Sequence, residues 1–230
     1  MPLDLTSPPA ERAGLRLLLG LLGALAVVVA AVPLALLVRT EQSFLLELDL
    51  RTTAAAEHAV AGSDGLLLAA QASTVLGDPL LMTVLSAVLA LVLWRTGRTR
   101  LALFVLAARV GAMVLSAGLK PVVDRARPVV EDPVALAFGG SFPSGHALGS
   151  ASFWTMLALV AVHRWHRLRL LLGAALGIAF AVAASRVLLG VHYLTDVAGG
   201  FLIGVGWTAL CAAVFTAWWV EQPHPERGTP

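Results

Sequence analysis

Six long apolar runs, separated by short polar segments, constrain this chain more than any other feature of its sequence. Each run approaches the roughly 20 mainly apolar residues that a helix needs to cross the hydrocarbon core of a bilayer. Charged residues make up only 13% of the 230 positions, against roughly 25% in a soluble domain. We therefore predict an all-α, polytopic membrane helix bundle of about six transmembrane helices. The predicted spans are Leu17–Val38, Pro79–Trp94, Leu101–Leu119, Ala147–Val162, Leu168–Leu188 and Thr195–Val220.

The segments outside these runs predict a single membrane-embedded domain, residues 14–220, between cytoplasmic tails at 1–13 and 221–230. Apolar and charged residues alternate over Phe44–Gln71, which favours one or two amphipathic helices lying at the membrane interface. The first apolar run exceeds the roughly 7–15 residues of a signal-peptide core, so we expect it to be retained as a span.

The distribution of basic residues predicts the orientation, because cytoplasmic loops are enriched in lysine and arginine. With the N-terminus in the cytoplasm, the inner segments contain Arg12, Arg16, Arg95, Arg98, Arg100, Arg164, Arg167, Arg169 and Arg227. The outer segments contain Arg39, Arg51, Lys120, Arg125, Arg127 and Arg186, and the last four belong to the motifs described next. We therefore predict a multi-pass protein of the plasma membrane with both termini cytoplasmic.

Candidate chemistry is concentrated in three short strings, each at the predicted outer end of a span. They are KPVVDRARP at 120–128, PSGH at 143–146 and SRVLLGVHYLTD at 185–196. Charged groups close to hydrocarbon are costly and usually functional. The cations Lys120, Arg127 and Arg186 suit the neutralisation of a phosphate, although each alone is also typical of an interfacial anchor.

The other two strings contain histidines that a structural role does not require. Ser144 and Gly145 suit a helix start that binds an anion, or an ordinary helix cap, whereas capping does not need His146. His192 and Asp196 are four residues apart, so on a helix they share a face. A carboxylate there fixes the imidazole tautomer and leaves the other nitrogen as a nucleophile. The alternative is a structural pair at the positive end of a helix.

Together, the three strings resemble the type 2 phosphatidic acid phosphatase superfamily. Its pattern is Lys-x6-Arg-Pro, then Pro-Ser-Gly-His, then Ser-Arg-x5-His-x3-Asp, and this chain satisfies every fixed position in order. The resemblance covers roughly Leu17 to Val220 and implies the six-helix bundle of the bacterial members. Soluble relatives such as vanadium haloperoxidases share the catalytic fold but lack this hydropathy.

The resemblance also implies a role for each motif residue. His192 would attack phosphorus to form a phosphohistidine, with Asp196 orienting its ring, and His146 would act as general acid and then general base. Because His192 must be neutral and His146 protonated, we expect a bell-shaped pH–rate profile. No metal or other cofactor is implied. The phosphate oxygens would be held by Lys120, Arg127, Ser144, the Gly145 backbone N–H, Ser185 and Arg186.

These inferences predict a metal-independent lipid phosphatase whose active site faces outward. Undecaprenyl diphosphate is the favoured substrate, because the active site is expected to face outward in what resembles a bacterial chain and because Arg125 offers a further headgroup contact for a second phosphate. Phosphatidylglycerophosphate and phosphatidic acid are the alternatives. Phosphoryl transfer to another acceptor, and a non-catalytic phospholipid-binding or transport protein, stay open. The predicted partners are the substrate and membrane lipids. A net charge of +2 does not favour nucleic acid, and the oligomeric state is not predicted.

Overall fold

The computed structural model of the chain describes residues 9–130, 139–165 and 168–220. These ranges are almost wholly helical and contain no strand, which confirms the all-α prediction. The predicted tail at 221–230 and residues 1–8 of the other tail lie outside the described residues. The helices are α1 (Pro9–Arg39), α2 (Ser43–Ala61), α3 (Asp64–Val75), α4 (Pro79–Arg95), α5 (Thr99–Val123), α6 (Gly145–Trp165), α7 (Leu168–Leu188) and α8 (Leu194–Val220).

The six predicted spans correspond to α1, α4, α5, α6, α7 and α8. Four described stretches are long and apolar enough to cross a membrane, and a fifth candidate joins the end of α1 to α2 across a bend of 89°. At 1.5 Å per residue, the 31 residues of α1 and the 21 residues of α6 also suffice for a hydrocarbon core of roughly 30 Å. The four stretches are Asp64–Arg95, Thr99–Val123, Arg169–Leu188 and Leu194–Phe215.

Helices α2 and α3 occupy the segment predicted to be amphipathic, but α2 is oriented differently from a simple surface helix. Its leucines Leu48 and Leu50 are exposed, whereas the intervening Asp49 is completely buried. Glu47 and Arg51 form an exposed ion pair on the outer face. The carboxylate of Asp49 therefore points into the bundle, and the partners that stabilise it are part of the site described below.

Small residues allow α8 to pack directly on α6, as is common between membrane helices. A Cβ atom added to Gly204 would lie 2.3 Å from the carbonyl oxygen of Leu148, and one added to Gly200 would lie 2.7 Å from that of Ser144. The backbones of the two helices are consequently in contact. This contact fixes the start of α6 beside the start of α8.

Arg109, which the sequence places in the middle of a span, is buried between α5 and α4. Its guanidinium donates to the Pro79 carbonyl oxygen at 2.6 Å and to the Thr83 hydroxyl at 2.7 Å. A buried charge requires such partners. The contacts explain how an arginine is tolerated here and connect α5 to the start of α4.

Candidate active site

The three motifs meet at one end of the bundle, where α5 and α7 end and α6 and α8 begin. A short turn after α7, with Gly190 at a φ of +68°, brings the His192 N–H to 3.3 Å from the Arg186 carbonyl oxygen. The Ser144 N–H donates to the Asp196 carbonyl oxygen at 3.1 Å. This hydrogen bond connects the N-terminus of α6 to the first turn of α8. Residues distant in sequence are thus held together by backbone hydrogen bonds.

Both ring nitrogens of His192 have polar neighbours. An Arg127 terminal nitrogen lies 3.1 Å from Nε2, and because guanidinium only donates, Nε2 accepts this hydrogen bond and is the unprotonated ring nitrogen. The proton then resides on Nδ1, which lies 3.6 Å from Asp196 Oδ2 and 3.4 Å from Ser141 Oγ. This is the tautomer that a histidine nucleophile attacking through Nε2 requires.

The surroundings of His192 also keep it uncharged. The side chain is 3% exposed, and burial lowers the pKa of His192 to about 4 against the opposing effect of Asp196. The charges of Arg127 and Arg186 lower this pKa further. At neutral pH the imidazole is therefore in the form that can attack an electrophile.

Two of the three predicted cations, Arg127 and Arg186, interact electrostatically with this histidine, and Lys120 interacts with Arg127 and Asp196. Lys120 donates to the Gly140 carbonyl oxygen at 2.6 Å, and Arg127 donates to the carbonyl oxygens of Gly139 and Val191 at 3.0 and 2.8 Å. Arg186 donates to the Thr74 hydroxyl at 2.6 Å, while its buried Nε has no hydrogen-bond partner among the described residues. A buried donor without a partner, close to the further cation Arg127, is the arrangement that an anion would complete.

His146 lies in the first turn of α6 and is half-buried. It is near enough to His192, Arg186 and Arg127 for electrostatic interaction with each of them. A Cβ atom added to the preceding Gly145 would lie 3.2 Å from Ser116 Oγ, which shows how closely the backbone is packed at this helix start.

The two predicted serines have partners of their own. Ser144 Oγ accepts a hydrogen bond from the Ala147 N–H at 3.4 Å, as a helix cap does. Ser185 Oγ donates to the Val182 carbonyl oxygen of its own helix at 2.7 Å and is buried. Their contacts with phosphate, like that of the Gly145 N–H, stay predictions.

Arg125, the predicted further headgroup contact, pairs with two carboxylates of the protein. One terminal nitrogen donates to Asp196 Oδ1 at 2.8 Å and to Thr195 Oγ1 at 2.7 Å, and the other donates to Asp49 Oδ2 at 2.6 Å. The guanidinium also lies 4.2 Å from the centre of the Tyr193 ring. With both terminal nitrogens engaged by carboxylates, the reason for favouring a second phosphate is lost.

Four polar residues of the site were missed by the sequence analysis. Ser141 donates to Asp196 Oδ2 at 2.5 Å, and Thr195 donates to Asp49 Oδ2 at 2.6 Å. For Asp49 the sequence does contain a signal, because this aspartate stands directly between Leu48 and Leu50. The remaining one, Thr74, is an ordinary polar residue in an apolar segment and carries no comparable signal.

The fold and the site define a helical membrane protein with a neutral, oriented histidine beside three cations. Residues 99–219, more than half of the chain, match the PAP2 superfamily. The chain belongs to this superfamily, which confirms the resemblance seen in the three motifs.

Two matches, one by sequence and one by structure and both from Bacillus subtilis, illustrate the relationship. Phosphatidylglycerophosphatase B of strain 168 is 36% identical over 97 residues, a match that covers 40% of this chain and only 47% of that relative. The crystal structure of the first transmembrane PAP2 type phosphatidylglycerolphosphate phosphatase has a TM-score of 0.75 with 24% identity, covering 83% of this chain and 94% of the other. The structural match confirms a shared transmembrane fold.

Proposed function

We propose that this chain is an integral-membrane lipid phosphatase that transfers a phosphoryl group first to His192 and then to water. The observation that carries the proposal is the arrangement around His192. Arg127 faces Nε2, Asp196 and Ser141 face Nδ1, and the ring is buried and neutral. A protein that only binds a phosphate headgroup needs the cations but not this oriented nucleophile.

In the first step, Nε2 of His192 forms a bond to phosphorus while the bond from phosphorus to the lipid oxygen breaks. His146 donates a proton to that oxygen, so the lipid leaves as an alcohol. The ring then carries a positive charge, which the Asp196 carboxylate stabilises through the Nδ1–H. Lys120, Arg127 and Arg186 stabilise the charge on the transferring group.

In the second step, His146 removes a proton from a water molecule that attacks the phosphohistidine. The phosphorus–nitrogen bond breaks, inorganic phosphate leaves, and His192 returns to its neutral form. Atoms and charge balance without any further reactant. The two steps share one set of cations, because the same phosphoryl group is transferred twice.

A phosphate monoester lipid is the proposed substrate, with phosphatidylglycerophosphate first. The name of the Bacillus relative supports this choice. The engagement of Arg125 by two carboxylates removes one of the two arguments that favoured undecaprenyl diphosphate, the spare cation for a second phosphate. Undecaprenyl diphosphate and phosphatidic acid are therefore the comparison substrates. The distribution of basic residues supports an extracytoplasmic site.

The test is phosphate release by the detergent-purified protein in the presence of EDTA. We expect the wild type to hydrolyse phosphatidylglycerophosphate faster than the two comparison lipids and His192→Gln to be inactive. Faster hydrolysis of undecaprenyl diphosphate would overturn the substrate assignment alone. Headgroup binding without hydrolysis of any lipid would overturn the enzyme assignment in favour of a binding or transport protein.

A further inference from the structure

We propose that Asp49 of α2, which belongs to none of the three motifs, is a positioning residue for His192 and Asp196. This inference rests on the proposed function. Its physical basis is a buried chain of contacts from Asp49 through Arg125 and Thr195 to the catalytic pair.

Asp49 accepts three hydrogen bonds. The Thr195 N–H donates to Oδ1 at 3.0 Å, the Thr195 hydroxyl donates to Oδ2 at 2.6 Å, and Arg125 donates to Oδ2 at 2.6 Å. Thr195 lies in the first turn of α8, directly before Asp196. Asp49 therefore fixes the backbone at the point from which the catalytic carboxylate projects.

The same residue determines the position of the Arg125 guanidinium. Arg125 is shared between two carboxylates that are both completely buried, Asp49 and Asp196. On Asp196, Arg125 engages Oδ1, which leaves Oδ2 to accept from Ser141 and the Tyr193 N–H and to face the His192 ring. Without Asp49, the guanidinium would be free to turn toward Asp196 and change which groups contact Oδ1 and which contact Oδ2.

The burial of Asp49 argues against a role in stability alone. A carboxylate without exposure is costly even when it is paired, and replacing such pairs by apolar residues is often neutral or stabilising. Its neighbours Leu48 and Leu50 are 44% and 52% exposed, so α2 turns its one buried carboxylate inward while the two leucines that flank it face outward. An orienting function accounts for this inverted arrangement.

The test compares Asp49→Asn with Thr53→Val, a matched control one turn further along α2. Thr53 is buried like Asp49, but its hydroxyl has no hydrogen-bond partner among the described residues. We expect Asp49→Asn to lower kcat about 10- to 100-fold, as does the loss of a hydrogen-bond partner that orients a metal-binding histidine, with little change in KM. Thr53→Val should retain kcat and KM close to wild type.

A double substitution separates positioning from general damage. Because Asp49 acts partly through Arg125 and partly through Thr195, Asp49→Asn should lower kcat by a smaller factor in an Arg125→Gln background than in the wild type, since contacting residues are not additive. Independent, multiplying losses would overturn the inference. So would an Asp49→Asn protein with wild-type kcat, or equal losses in Asp49→Asn and Thr53→Val.

A second readout is independent of turnover and distinguishes this inference from the proposed function. In protein with ¹⁵N-labelled histidine, the Nδ1 and Nε2 signals of His192 report its tautomer, and His192→Gln assigns them. We expect Asp49→Asn to shift these signals and Thr53→Val to leave them unchanged. If the wild type hydrolyses no lipid, the proposed function fails, yet unchanged His192 signals in Asp49→Asn are still what would overturn the positioning role.

Discussion

The imidazole of His192 shows how a buried residue can remain reactive. Burial keeps it neutral, Arg127 leaves the lone pair on Nε2, and Asp196 with Ser141 is placed to stabilise the charge that forms at Nδ1. The sequence spacing predicted the pairing with Asp196, but the expected shared helix face is wrong for His192, which lies in the turn two residues before α8 begins. The contribution of Ser141 was not predictable, since it depends on how the segment before α6 folds back onto α8.

The first prediction concerns the titration of His192. Because burial favours the neutral imidazole, protonation should require a pH near 4 instead of the ordinary value near 6.5. The attacking form is therefore present above about pH 4 and lost as the pH falls through that value. A ¹⁵N-histidine NMR titration of the purified protein measures this directly, and a midpoint near 6.5 would contradict the account.

The second prediction concerns Arg186, whose buried Nε has no partner among the described residues. We expect Arg186→Gln to lower kcat/KM by about 100-fold or more, as does the loss of one donor that stabilises transition-state charge. Thr74→Val removes only the hydroxyl that accepts from Arg186 and should have a much smaller effect. Steady-state phosphate release from the same lipid measures both variants; equal losses would mean that Arg186 acts only through Thr74.

At the scale of helices, hydropathy was sufficient to locate the spans but not to orient α2. The alternation of polar and apolar residues predicted one or two amphipathic helices lying at the membrane interface. In the structure Asp49 is buried because Arg125 and Thr195 offset its loss of hydration. Such partners lie 76 and 146 positions away, so no local pattern could have indicated them.

The third prediction concerns the contact between α6 and α8. Gly204→Ala places a methyl group 2.3 Å from the Leu148 carbonyl oxygen, so the two helices must separate. Overpacking of this kind costs about 1–3 kcal/mol, and we expect a lower melting temperature in detergent. Gly173→Ala is the control, because its added methyl group meets no atom within 4 Å; a similar loss in both variants would argue against the packing explanation.

For the whole molecule, the motifs and the hydropathy together predicted a site at one end of a helical bundle. The structure brings the motif residues to that end, and the family match accounts for their order along the chain. Spacing could not show which cations face the nucleophile. Arg125 and Arg127 are two residues apart, yet the first contacts the carboxylates while the second contacts His192 Nε2.

The fourth prediction concerns orientation across the membrane. In a Cys211→Ser background, a cysteine at Val129, which is 97% exposed at the site end, should react with a membrane-impermeant maleimide in intact cells. A cysteine at Thr96, exposed between α4 and α5, should react only after the cells are opened. The opposite pattern would place the site in the cytoplasm and contradict the interpretation of the arginine distribution.

The central claim is that His192 carries the phosphoryl group during turnover, and trapping that intermediate tests it most directly. The wild type and His192→Gln would be mixed with lipid labelled in its phosphate, quenched in alkali within milliseconds and separated from the lipid. We predict label bound to wild-type protein that is stable in alkali and released by acid, and none on His192→Gln. Phosphate release without any protein-bound label, or label retained by His192→Gln, would contradict the account.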